Sequence, residues 1–222
     1  MAGNPDIPNV QARLRAAGTR LTWSSGEKLF REAEAAATVL LITRGHVKVT
    51  VTAPCGKSVI LAIRGPGDLL GESAAIDGHG RSATVTALSD GEAVSVSRAE
   101  FARLVGRTPE VAADLIHILI SRLRESDQRR LESGVYDVRT RTACWLLDAA
   151  TYGERSGTGP GYAVHLTQTD IAEAVGASRV SVAKALHEFR DKKIIDIHRA
   201  VCRVIDPDRL RSIAQPANHH SC

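Results

Sequence analysis

The side chains best suited to chemistry fall in two short stretches. In the first, GDLLGESAAIDGHGRSATVTA, Gly71 and Glu72 are followed nine residues later by Arg81 and Ser82. One guanidinium, one hydroxyl with its amide and one carboxylate form a set fit for a ligand with a single phosphate anion and one free hydroxyl. Arg81 would pair with the anion and Ser82 would donate to it. Amides after Glu72 would join them if a short helix starts at Ser73. Glu72 would accept from the free hydroxyl, and a cyclic nucleotide offers this pair of groups. The same residues could instead close a loop through an Arg81–Glu72 salt bridge, since ion pairs of that kind are common and weak. The residues alone weigh the two readings evenly.

The second stretch is TDIAEAVGASRVSVAKAL. Ile171, Ala172 and Val175 make one apolar face, Gly176 supplies a turn, and Val182, Ala185, Leu186 and Phe189 make the next face. Two short helices crossing steeply need small residues where they touch and a glycine where the chain turns, and Ala172 and Gly176 meet both demands. Ser178 is placed to cap the second helix. The exposed side of that helix carries Arg179, Ser181, Lys184, Arg190, Lys192 and Lys193. An arginine at a helix N-terminus suits the major groove, where its fork binds guanine O6 and N7. A solvated amphipathic helix with incidental lysines does not require this spacing of small residues and glycine, so double-stranded DNA is the expected ligand.

These stretches need elements to hold them. Residues 19–106 alternate β-rich runs, TVLLITRGHVKVTVTA, KSVILAIRGPGDLLGES, RSATVTAL and EAVSVSR, with glycine turns, a pattern that predicts a compact antiparallel barrel or sandwich. QARLRAA before it reads as a short helix. Ser97 with Glu100 reads as a capping box opening AEFARLV. From Pro109 to about Glu132, Val111, Leu115, Ile118, Leu119 and Leu123 recur at helical spacing without a glycine, which predicts one long helix. A narrow stripe through Leu119, Leu123, Ser126 and Arg130 continues its seam and would pair with a twin across a dimer axis, the alternative being a solvated surface helix. Gly134 interrupts the run, and 134–137 is the candidate hinge. Beyond it come a helix in DVRTRTACWLLDAATYG, a glycine-rich connector GERSGTGPG, a strand YAVHL, the two short helices and a β-hairpin in IIDIHRAVCRVID. The expected fold is α+β, with a β-rich domain at 1–108, a dimerisation helix at 109–134 and a DNA-binding domain at 135–222.

At 222 residues the chain can bury two cores, and no run of eighteen apolar residues exists to cross a bilayer. The first residues carry no basic flank ahead of an apolar stretch, so the cytoplasm is the expected location and no membrane is involved. A net charge of +4 agrees with a polyanionic partner without requiring one. Cys55, Cys144, Cys202 and Cys222 lie far apart, with no zinc or iron–sulfur spacing. They read as ordinary buried or surface thiols. His79 reads as an exposed turn residue, and His219 and His220 as part of a polar tail. Neither metal nor haem is expected. There is no nucleophile with its base, no phosphate loop ending in glycine-lysine and no histidine pair at metal spacing, so an enzyme is not expected.

With both stretches in view, the chain resembles the CRP/FNR family of transcription regulators over residues 9–210. Residues 66–86 look like the phosphate-binding cassette of a cyclic-nucleotide-binding β-roll, and 166–206 like a winged helix-turn-helix. The resemblance implies ligand contacts by Gly71, Glu72, Ser73, Arg81 and Ser82, with Ser126 and Asp127, one from each subunit of a homodimer, near the purine. It implies base contacts by Arg179 and Lys184 with Ser181 nearby, and phosphate contacts by Thr167, Gln168, Ser178 and the hairpin around His198. RNA polymerase would be a further partner. Two residues depart from the family pattern. Val180 stands where many members have a glutamate that accepts from cytosine, and a valine would instead pack on a thymine methyl. Asp127 stands where cyclic AMP-selective members often have threonine, serine or asparagine; a carboxylate accepts from adenine N6 or from guanine N1 and N2. Cyclic AMP, the commoner ligand of the family, is the first expectation as effector and cyclic GMP the second. The alternatives are a member that binds DNA without nucleotide and a nucleotide-binding module that acts through protein partners.

Overall fold

The structure is a computed structural model that describes residues 8–152, 154–155, 162–198 and 201–215. Cys222, His219, His220 and most of the glycine-rich connector lie outside the described residues. The chain divides into two compact units, residues 2–127 and 128–222, and each is described by itself.

The first unit begins with α1 (Pro8–Ala17) and strands β1 (Thr19–Trp23), β2 (Lys28–Phe30), β3 (Thr38–Arg44), β4 (Val47–Thr52), β5 (Ser58–Arg64) and β6 (Leu69–Leu70). It continues through α2 (Glu72–Asp77), β7 (Thr84–Ala87), β8 (Gly91–Ser97), α3 (Arg98–Arg107) and the first part of α4 (Pro109–Val135). Two antiparallel sheets form, in the orders β1-β8-β3-β6 and β2-β7-β4-β5. The run Val39-Leu40-Leu41-Ile42 is apolar at every position because β3 is covered on both faces. Leu40 and Ile42 pack between the sheets with Trp23, Phe30, Val47 and Val85. Val39 and Leu41 face the helices, against Leu14, Phe101, Val111, Leu115 and Ile118. Side chains that alternate across a strand thus build two cores from one segment.

Hydrogen bonds from side chains set the helix ends. The Ser97 hydroxyl accepts from the Glu100 amide, as the spacing predicts, but the Glu100 carboxylate pairs with Arg103 rather than completing the box. Asp114, 7% exposed within α4, accepts at 2.9 Å from the buried Val10 amide and so caps α1 from a distance of 104 residues in sequence. Gly134 does not interrupt α4, which runs on to Val135. One glycine in the last turn costs about 1 kcal/mol, too little to stop a long helix, and the stop instead precedes Asp137, which caps the next helix.

In the second unit, α4 is followed by α5 (Val138–Ala150), β9 (Glu154–Arg155), β10 (Tyr162–His165), α6 (Gln168–Val175), α7 (Arg179–Asp191), β11 (Ile195–His198), β12 (Val201–Val204) and α8 (Pro207–Ala214). The sheet order is β11-β12-β10-β9. Within the connector, read from sequence as loop throughout, Glu154 and Arg155 pair with Ala163 and Tyr162, because a strand already laid against β12 offers its other edge. Leu146, Ile171, Leu186, Phe189 and Leu210 are all at most 1% exposed and form the core. Cys202 is buried, which pushes its thiol up to about 12; burial pushes the half-buried Cys144 thiol up to about 11.

Two substitutions test the N-terminal packing. Asp114→Ala strands the buried Val10 amide and should cost about 1–3 kcal/mol, read as the urea midpoint of Trp23 fluorescence in a Trp145→Phe background. Ala33 is held at a φ of 67° by the hydrogen bond its amide donates to the Arg81 carbonyl. Because a left-handed alanine is strained by about 1–2 kcal/mol, Ala33→Gly should raise stability by roughly 1 kcal/mol in the same measurement.

Candidate ligand and DNA sites

The ligand candidate is built where β6 meets α2. Gly71 has a φ of 81°, and a Cβ there would lie 2.1 Å from Arg81 Nη1, so only glycine allows the guanidinium to approach. Arg81 Nη1 donates to the Gly71 carbonyl at 3.2 Å and Nη2 to the Thr38 carbonyl at 2.7 Å. The guanidinium lies 3.6 Å from the centroid of the Phe30 ring, a stacked cation–π contact. The Arg81 backbone is pinned as well, its amide to the Glu34 carbonyl and its carbonyl to the Ala33 amide. Burial pulls the Arg81 guanidinium down from its ordinary value, and Glu72 and Glu34 oppose that pull.

Glu72 is 2% exposed. It pairs not with Arg81 but with Arg122 of α4, Nη1 to Oε1 at 2.5 Å, while Arg122 Nη2 donates to the Leu69 carbonyl. The Ser73 hydroxyl donates to the same carboxylate oxygen. The other oxygen, Glu72 Oε2, is buried and makes no hydrogen bond among the described residues. A buried carboxylate oxygen without a donor is costly and calls for one.

The structure brings Gly71, Glu72, Ser73 and Arg81 together. Two details differ from the sequence reading. The short helix starts at Glu72, after Gly71, rather than at Ser73. Arg81 and Ser82 precede the strand, which begins at Thr84, because the Arg81 backbone is bonded to the 33–34 turn instead of to a neighbouring strand. Ser82 is exposed, as are Ser126 and Asp127 on α4. Arg122 was missed from sequence, although the signal was there: Val111, Leu115 and Ile118 mark the covered face, and continuing it at helical spacing reaches Arg122 and Glu125. Glu125 is also engaged, by buried Arg64 at 2.9 Å. Burial raises the pKa of nearby Asp68, an effect opposed by Arg64 and Arg122.

The DNA candidate is α6 and α7. Thr167 and Asp170 form a reciprocal capping box at the start of α6, which engages the Thr167 hydroxyl. Gly176 at φ 65° ends that helix. Ser178 caps α7 by accepting from the Ser181 amide, and the two hydroxyls lie 2.8 Å apart. Arg179, Ser181 and Lys184 are exposed, and Val180 is 81% exposed, an apolar side chain with no intramolecular cover. Gln168 and His198 are exposed too. The far end of α7 is clamped. Arg139 Nε of α5 donates to both Glu188 oxygens at 3.0 Å, and Lys192 joins them at 2.7 Å. The Lys192, Arg139 pair holds the Glu188 carboxyl below its usual range. Lys193, at φ 55°, and Ile194 close the helix by donating to the Arg190 and Phe189 carbonyls.

Among the described residues no helix is long and apolar enough to cross a membrane. Residues 20–108 match the model of the cyclic nucleotide-binding domain, and residues 140–213 match that of the Crp-like helix-turn-helix domain. A CRP-like cAMP-activated global transcriptional regulator of Mycobacterium tuberculosis is 32% identical over 207 residues, 91% of each chain. The cyclic AMP receptor protein of Thermus thermophilus is 29% identical over 195 residues, 88% of each. The fold is that of FixK2 from Bradyrhizobium japonicum, with a TM-score of 0.76 at 22% identity, over 89% of this chain and 97% of that one. On these matches, which take in residues 71–82 and the paired helices alike, the chain belongs to the CRP/FNR family of transcription regulators.

Proposed function

We propose that the protein is a homodimeric, cytoplasmic transcription regulator whose binding to a two-half-site operator is controlled by cyclic AMP, with cyclic GMP as the alternative effector. The observation that carries this reading is the buried Glu72 oxygen with no donor among the described residues, set beside a buried arginine. A ribose 2′-hydroxyl supplies the donor. The remaining N–H groups of Arg81, of the five a guanidinium has, supply charge-assisted bonds to the phosphate, with Ser82 and the first amides of α2 around it. Relatives that are cAMP-activated regulators favour the adenine nucleotide. Asp127 and Ser126 would meet the purine.

The dimer rests on α4. Ile116, Leu119, Ile120 and Leu123 are 55%, 40%, 41% and 61% exposed in the single chain, a stripe at helical spacing that a second copy would cover. Nucleotide bound to both the β-roll and α4 would favour one arrangement of the dimer over another and so shift DNA affinity. On DNA, Arg179 and Lys184 would read bases, while Gln168, Ser178 and His198 would contact phosphates. Thr167 would do so through the face of its hydroxyl left free by Asp170. Half-sites would lie about one helical turn apart, beside RNA polymerase.

Calorimetric titration of the full chain with cyclic AMP should give saturable binding. Arg81→Ala should weaken it by about tenfold or more, as expected for loss of a charge-assisted bond, and abolish nucleotide-dependent DNA binding in a protein that stays folded. An unchanged response of the variant would overturn the pocket assignment. Selection from a randomised duplex library tests the groove contact. Val180→Glu should change the preferred base pair at one position of each half-site from T·A to one offering a cytosine amine, by about 1–3 kcal/mol. An unaltered consensus would remove Val180 from the interface.

A further inference from the structure

We infer that the Arg64–Glu125 ion pair sets this regulator's discrimination between nucleobases, by fixing the stretch of α4 that carries Ser126 and Asp127. The inference rests on the proposed nucleotide site and names a pair that makes no contact with the phosphate or ribose groups assigned above.

Arg64 ends β5, and its side chain is 9% exposed. Its Nη1 donates to the Ile63 carbonyl and its Nη2 to Glu125 Oε2 at 2.9 Å. Three residues earlier on α4, Arg122 holds Glu72. The two pairs are reciprocal: the β-roll supplies a cation to Glu125 and an anion to Arg122. Both lie on the face of α4 continued from Val111, Leu115 and Ile118. Asp68, 6% exposed and anchored at 2.8 Å by the Gly65 amide, faces both arginines. Sliding or rotating the helix by one residue would mismatch both pairs at once and strand buried charge.

The order along the helix assigns the division of labour. Arg122 serves the carboxylate that would take the ribose. Glu125 immediately precedes Ser126 and Asp127, which are exposed and, among the described residues, make no ion pair that would fix them. Their position toward a purine therefore depends on the tie next to them. Adenine and guanine differ only at the ring edge that these two residues would read, whereas phosphate and ribose are common to both nucleotides. Loss of the Arg64–Glu125 tie should consequently fall on the ratio of affinities more than on affinity itself.

The test is titration of the full chain with cyclic AMP and, separately, cyclic GMP. Glu125→Gln should bring the ratio of the two affinities toward unity by about tenfold, and Arg64→Glu with Glu125→Arg should restore much of it. If Glu125→Gln does not fold, Glu125→Asp, shorter by one methylene and still charged, is read in the same way. Equal weakening of both nucleotides would make the pair merely structural, and an unchanged ratio, or a wild type that binds both alike, would overturn the inference outright. A wild type that binds neither would remove the nucleotide reading and this inference with it. Binding with an intact ratio in Glu125→Gln would overturn this inference alone.

Discussion

The carboxylate of Glu72 constrains the N-terminal unit. At 2% exposure it has left water, and an ion so buried must be paired or neutralised. Arg122 supplies the pair, which fixes where α4 crosses the β-roll, and the second nitrogen of Arg122 takes the Leu69 carbonyl at the end of β6. The Ser73 hydroxyl fills out the same oxygen. With Oε1 thus engaged by two donors, Oε2 is left as the acceptor that meets no donor among the described residues. In the proposed nucleotide site this asymmetry between the two oxygens of one side chain would make Oε2 the acceptor for a ligand hydroxyl.

The same requirement explains why α4 has two characters. Its covered face begins as Val111, Leu115 and Ile118 and then turns to Arg122 and Glu125, because the surface below changes from helix-facing apolar residues to Asp68, Glu72 and Arg64. Its other face keeps Ile116, Leu119, Ile120 and Leu123 exposed. Apolar residues facing out and charges facing in reverse the usual amphipathic order. That reversal is favourable only where the inward charges are matched and the outward apolar stripe meets a second apolar surface. Burial of such ion pairs adds little net stability relative to apolar packing; what it adds is a penalty for every other register.

This explains how much could be read from the sequence. Strands, helices and turns were legible because they follow from periodicity and local chemistry: the β-rich run of β3, the caps at Ser97 and Ser178, and the glycine turn at Gly176 all lie within a few residues of their causes. Gly71, Glu72 and Arg81 were legible as a set of types. Their geometry was not, since Arg81 bonds carbonyls from residues 38 and 71 and Glu72 turns to a helix 50 residues onward. Arg122 and Glu125 could not be singled out, because a polar stretch of helix gives no sign, without the opposing surface, of which side is covered. Gly134 misled for a related reason: a residue's intrinsic preference is small beside the hydrogen bonds of a helix already formed.

The C-terminal unit applies the opposite logic to its own exposed helix. The last turns of α7 are held by Arg139 and Lys192 on Glu188, by Phe189 in the core and by the Lys193 turn. Its first turn is held by the Ser178 cap and by burial of Val182. Arg179, Val180 and Ser181 therefore stand on a fixed helix axis while their side chains stay in solvent. A β-branched residue pays least for this, because Val180 has one rotatable bond and a strongly preferred rotamer in a helix. An apolar, stiff side chain 81% exposed at the second position of a capped helix loses little entropy on contact and has apolar area to gain. Such a residue can read a methyl group in a groove, and it cannot replace the hydrogen bond that an acidic residue would make there.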